Sequence, residues 1–465
     1  MSMTTEFSLD DAGDDIELVN EKALTWFDVS AIGTGEMLFT AGWAWIMYIA
    51  SSYGTKWMLI GFAGGALVIH CAWWLYREMV TAVPEPGSLQ SYAREAGVFS
   101  LGTTYFVGYA PIYGVFMWLE LIAAKGLLSL IFPGVPDWIW PFVVILPVVG
   151  LNLLGHQITG KVQAALVVIT LVGDGALAIG VWWLLANHTA WDANWEPPVE
   201  ITWFTPFTVV GLWVGIMAGL MEVQQVLVDE WANFKQSRDI GLLSSAWQLW
   251  ARQLPLSLAL LATLPAAALA DMSVPTVEAI RQVLGQHPIF YLAVFSMLVA
   301  TYTTLSVYFM AMGKVVALYA QQGALPRVMA KYSAQSVPWV AIVFLGLFAL
   351  AGAYFTTPQF VTDMLSEWSA TLYFVVAVFF IGMRRRTDLD RPLKVKYGLA
   401  VAYFLMAYTT LIALSVFVND WKAGLVWYAV CGAFILYDAY VVPNTKRGGH
   451  YRAQVLRRRT SAVQL

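Results

Sequence analysis

The sequence is short of charge, of cysteine and of any cluster that reads as catalytic. Charged residues fill 12% of the 465 positions, hydrophobic ones 59%, and the mean hydropathy is +0.65. Soluble globular domains carry about 25% charge, so that class is excluded. The two cysteines, Cys71 and Cys431, each fall inside an apolar run, which excludes a disulfide framework. The five histidines are scattered, and zinc spacing, nucleophile elbow, phosphate-binding loop and nucleotide fold are all missing. No enzymatic activity, metal or cofactor is therefore expected. Short alternating strands are absent, which argues against an outer-membrane barrel. Residues 1–24 carry seven carboxylates against Lys22 alone, so they read as a disordered acidic tail and not as a cleavable signal peptide.

What is present is a series of apolar runs, each able to cross about 30 Å of hydrocarbon as a helix. About twelve spans are expected, near 25–50, 56–80, 101–131, 137–155, 162–186, 205–228, 242–270, 287–318, 337–356, 363–383, 397–418 and 421–442. The fold class is an all-α polytopic membrane protein. With the N-terminus placed inside, twenty Lys and Arg fall on the inner side and only Lys56, Arg281 and Lys422 on the outer. That bias predicts a multi-pass protein of the cytoplasmic membrane with both termini cytoplasmic. The basic Arg457-Arg458-Arg459 suits anionic lipid and this topology, not nucleic acid. Asn187-His188-Thr189 fits a glycosylation sequon in an outer loop, a pattern common by chance.

Two spans look interrupted. Ala31-Ile32-Gly33-Thr34-Gly35-Glu36 sets two glycines, a hydroxyl and a carboxylate in the middle of the first. Gly215-Ile216-Met217-Ala218-Gly219 sets two glycines in the sixth, about 180 residues on. Glycine is a poor helix interior residue, and non-helical backbone at membrane depth needs a protein or water-lined cavity. Five spans separate the two starts, an odd number, which inverts the second unit. Interrupted helices at matching positions of inverted units mark a transporter site.

Four carboxylates lie well inside spans: Glu36, Glu120, Asp174 and Glu222. An intramembrane acid is functional by default, although paired or neutral structural acids are the competing reading. His70, Lys125 and Arg252 are the candidate partners, with Lys125 only five residues from Glu120. Ser296, Thr301, Thr303 and Thr304 in span 8 suit a sodium site, but such hydroxyls more often bond back to their own helix.

At this point the chain resembles the amino acid–polyamine–organocation transporter superfamily from the first span to about Tyr397. The motifs, in order, are Gly33-Thr34-Gly35; Pro84-Glu85-Pro86-Gly87-Ser88 through Tyr92-Ala93-Arg94-Glu95; and Asn152-Leu153-Leu154-Gly155 through Thr159-Gly160-Lys161-Val162-Gln163. They continue with Glu222, Asp229-Glu230, Asn233 and Arg238-Asp239-Ile240; then Val315 to Pro326; then Arg384-Arg385-Arg386 with Asp388, Arg391 and Pro392. Three features depart from the pattern. Gly219-Leu220-Met221-Glu222 is one residue longer than usual and lacks the aromatic. Phe234 and Gly241 replace prolines, and Glu36 stands where an aliphatic residue is usual. Near Thr170 the lysine of some proton-coupled members is missing.

The resemblance implies two inverted five-helix repeats, residues 25–186 and 205–384, then two trailing helices at 397–442 and a basic tail at 443–465. It implies a secondary active transporter of amino acids working by alternating access, through proton symport or exchange. A polyamine or monoamine carrier, or an amino acid/amine antiporter, is the alternative, and a non-transporting membrane sensor or scaffold the reading from another class. The substrate carboxylate is expected on Ile32, Gly33, Thr34 and Gly35, and its amino group on the carbonyls of Ile216, Met217 and Ala218 beside Gly219. Tyr109 and Trp213 would close over it. Glu36, Asp174 and Glu222 are the candidates for proton coupling. Glu36 either carries a proton or, if charged, selects a cationic amine. The expected partners are a small-molecule substrate, a proton or counter-substrate and the lipid bilayer, with a homodimer through the trailing helices.

Overall fold

The computed structural model describes residues 23–463 apart from 39, 41, 187, 199, 218, 273, 334, 356 and 357, and without the side chains at 102–115, 156, 157, 220, 355, 358–364 and 456–463. Among the described residues the structure is helical, with one isolated bridge between Leu24 and Trp231 and no strand. The chain runs through α1 (Trp26–Glu36), α2 (Gly42–Ala82), α3 (Leu89–Ala96), α4 (Phe99–Ile131) and α5 (Trp140–Asn152). It continues with α6 (His156–Leu185), α7 (His188–Trp195), α8 (Thr205–Met217), α9 (Leu220–Val226), the single turn α10 (Phe234–Gln236) and α11 (Leu242–Leu261). Then come α12 (Ala266–Ala270), α13 (Pro275–Leu284), α14 (Pro288–Gln321), α15 (Trp339–Phe355), α16 (Pro358–Arg385), α17 (Gly398–Asn419), α18 (Trp421–Leu436) and α19 (Lys446–Val463).

Among the described residues, seven stretches are long and apolar enough to cross a membrane, and Asp137–Asn152 and Trp339–Tyr354 are shorter apolar helices. Local chemistry sets the ends. Thr25 and Asp28 form a reciprocal capping box that starts α1. Gly54, at φ +78°, bends α2 so that the second half of the first span runs on into the second. The expected seventh span stops early: α11 ends at Leu261, and residues to 270 form the separate α12. The tail beyond 443 is largely the helix α19.

Among the described residues, one face collects the start of α1 and most of the ion pairs. Leu24 N donates to Glu230 O at 3.0 Å and Ala232 N to Leu24 O at 2.7 Å, tying the start of α1 to the segment after α9. Lys314 Nζ lies 2.7 Å from Asp229 and 3.0 Å from Glu230. Arg77 and Arg238 both hold Asp239, Arg384 holds Glu78 at 2.5 Å, and Arg94 and Arg386 share Glu95. Desolvation pushes the Asp239 carboxyl up, yet the hydrogen bonds and charges of Arg238 and Arg77 together hold it below the usual range. On the opposite face Asn194 receives Ala266 N at 2.7 Å and donates to the carbonyls of Leu261 and Leu264, which closes α7 over α12. Asn187 of the sequon lies outside the described residues.

Candidate functional site

α1 ends at Glu36 and α2 starts at Gly42, so the first interruption lies beyond Gly33-Thr34-Gly35, which form the last turn of α1. Tertiary packing gives the reason. A Cβ on Gly35 would stand 1.7 Å from Gln163 Nε2 and 2.9 Å from Thr303 Cγ2, so this glycine permits close approach of α6 and α14. Helix therefore continues through it. Hydroxyls then fix the non-helical segment. Thr40 Oγ1 donates to Met297 O at 3.0 Å and lies 2.9 Å from Thr301 Oγ1, while Thr304 Oγ1 donates to Gly35 O at 3.0 Å. Thr34 Oγ1 reaches Gln248 Oε1 at 2.8 Å, anchoring α1 to α11. Thr303 instead bonds back to Val299 O.

The second interruption lies at the end of the stretch that the sequence marks, after Gly215, Ile216 and Met217, which remain helical. α8 ends at Met217 and α9 starts at Leu220, with Gly219 at φ +104°, a conformation that side chains resist. Ala218 lies outside the described residues. Tyr373, from α16, donates to Met217 O at 3.4 Å, and Trp250 Nε1 donates to Met217 Sδ at 3.4 Å. In each interrupted pair one half-helix presents carbonyls (α1 and α8) and the other presents N–H groups (α2 and α9). The two pairs touch. α1 packs on α9, and Gln224 Nε2 donates to Val29 O at 2.8 Å. Trp45 of α2 fills the space beside Gly215, where a Cβ would meet its ring at 2.7 Å.

The intramembrane acids divide into two groups. Glu36 is fully buried at the end of α1, and Tyr308 lies within electrostatic reach of both Glu36 and Glu120. Tyr373 feels the charges of both Glu222 and Glu36. Glu222 accepts a short hydrogen bond from Tyr76. Asp174 stands apart from these, paired with Arg252 and accepting from Ser296 Oγ at 2.5 Å. Ile32 and Ile216 are buried in the core. Trp213 packs edge-on against Phe62 of α2 with centroids 5.4 Å apart, so it fills the α2–α8 seam. The side chain of Tyr109 lies outside the described residues. His70 stacks on Trp250, with its Nδ1 2.8 Å from Ala66 O.

Sequence reasoning missed several residues. Tyr373 and Tyr76 carried no signal, because tyrosines are frequent here and their partners lie far along the chain. Gln163 closes on Gly35 although it stood in the sequence only as a motif residue. Glu367 is a buried acid of α16 that accepts from Tyr428 of α18 at 3.2 Å. Its position one turn into an apolar run was the available cue. Among the described residues no group of His, Cys, Asp and Glu is placed to hold a metal.

A family model described as amino acid permease matches residues 29–427. Compared with curated proteins, the chain finds no match.

Proposed function

The chain belongs to the amino acid permease family, a transporter family, and from that premise we propose that it carries amino acids across the cytoplasmic membrane by alternating access. It is an all-α polytopic membrane protein. In this reading the face rich in basic ion pairs is cytoplasmic. The substrate sits between the two interruptions, with movement coupled to protons or to exchange. The N–H end of α2, beside Gly33, Thr34 and Gly35, receives the carboxylate. The carbonyl end of α8, at Ile216, Met217 and Ala218, receives the ammonium. Donors and the positive dipole end favour an anion, and carbonyls favour a cation.

The observation that carries the reading is Tyr373, whose hydroxyl sits on the Met217 carbonyl within reach of acids from both interrupted helices. Because Asp174 is engaged with Arg252, Glu36 and Glu222 remain to carry a proton. A polyamine or monoamine carrier is the second reading, favoured by the density of buried acid at this depth. The apolar outer surfaces of α17 and α18, with Leu414 and Val418 exposed, suit lipid or a second copy of the chain.

The test is radiolabelled uptake by the full chain in proteoliposomes, with a panel of amino acids and amines at varied pH and sodium. Uptake of at least one amino acid, driven by an inward proton gradient or an internal counter-substrate, is expected. No movement of any panel member under any gradient overturns the reading.

A further inference from the structure

Arg252 is a buried cation facing the far end of the first interruption. Its side chain has 0% exposure, and its Nε donates to Asp174 of α6. A guanidinium and a carboxylate commonly pair through two parallel bonds. Here the second Asp174 oxygen is taken by Ser296 Oγ at 2.5 Å, so the pair is single. Nη1 and Nη2 of Arg252 are buried without a hydrogen-bond partner. The guanidinium also lies over Trp43, with Cζ 5.0 Å from the ring centroid.

Two contacts set its depth. Trp43 is the second residue of α2, directly after the interruption. Met297, the neighbour of Ser296, accepts from Thr40 inside the interruption. The open fork therefore lies beside the N–H end of α2. A planar anion with two oxygens matches both the fork and the helix end.

We propose that Arg252 is a ligand of the substrate's carboxylate, and that Asp174 and Ser296 are positioning residues that keep its fork open. This rests on the transport reading above and sharpens it. The other pole of the site is acidic: Tyr373 donates to the Met217 carbonyl and feels the charges of Glu222 and Glu36. A zwitterion satisfies both poles. A decarboxylated amine satisfies the acidic pole alone and leaves the guanidinium unmatched. The substrate class is therefore amino acids with a free α-carboxylate, and amines are rejected.

The experiment measures binding and uptake by the full chain for three matched pairs: L-leucine and isopentylamine, L-tyrosine and tyramine, L-arginine and agmatine. The wild type is expected to bind the amino acid of at least one pair tenfold or more tighter than its amine, roughly the lower end for a lost charge-assisted bond. Arg252→Gln is expected to abolish that preference by weakening binding of the amino acid. Ser296→Ala, which frees Asp174 to close on the fork, is expected to reduce the preference with the protein still folded. If Arg252→Gln does not remain monodisperse, Ser296→Ala decides, and an unchanged preference there overturns the proposal. A folded Arg252→Gln that keeps the wild-type preference also overturns it, as does a wild type that takes up amines and amino acids equally well. These two results leave transport standing. Absence of binding and uptake for all six compounds overturns the transport reading, and the proposal with it.

Discussion

In the first interrupted helix the buried acid, Glu36, closes α1 at its carbonyl terminus, whereas in the second Glu222 lies in the first turn of α9, at the N–H terminus. Half-helix dipoles oppose a charge at the first place and support one at the second. Glu222 also has the Tyr76 hydroxyl directly on it. The backbone differs in the same way. Between Glu36 and Gly42, Thr40 is tied to α14 by hydrogen bonds, while between Met217 and Leu220 Gly219 takes a positive φ. Two gaps that resemble each other in sequence are thus built differently. In the proposed reading, this difference in helix position makes Glu36 the first candidate for the proton and Glu222 the second.

The largest effect is expected where the first gap depends on close packing. Gly35→Val would force a side chain into Gln163 and Thr303, an overpacking of about 2–3 kcal/mol, and uptake should fall on the order of 100-fold. Adding Gln163→Ala should restore part of it. A neutral Gly35→Val would show that α6 and α14 do not close on α1 as described. Next comes the second gap. Gly219→Ala imposes a left-handed conformation on a side chain at a cost of about 1–2 kcal/mol, read as a drop in melting temperature in detergent.

The electrostatic half of the comparison is sharpened by the two conservative acid changes. Glu36→Gln should keep exchange but flatten the dependence of uptake on pH, and Glu222→Gln should retain that dependence. The reverse pattern would exchange the two roles. The smallest effect belongs to the basic face. Asp239 is held below its ordinary range by Arg238 and Arg77, so its contribution is fully present above about pH 4 and fades as the pH falls through its lowered value. Asp239→Asn should therefore cost less than about 1 kcal/mol at neutral pH, and the difference from wild type should vanish in acid.

Much of the fold was legible because membrane spans announce themselves by length and apolarity. The second interruption was legible too, since Gly219 is needed for its backbone. The first was misplaced for a physical reason: Gly35 serves packing, and a glycine that admits Gln163 looks in sequence like one that breaks a helix. Asp174 and Arg252 both stood out as charges in apolar runs. Their pairing joins residues on α6 and α11 and could not be read from spacing. Tyr373 joins α16 to the end of α8 and had no local signature at all.

The account turns on both interruptions facing one substrate, and thiol protection tests that directly. In a background with Cys71 and Cys431 replaced by serine, Thr40→Cys and Met217→Cys would each be labelled with a small thiol reagent in proteoliposomes while a transported amino acid is titrated. The account predicts that both positions are protected with the same half-saturating concentration. Protection at one position only, or at two clearly different concentrations, would contradict it.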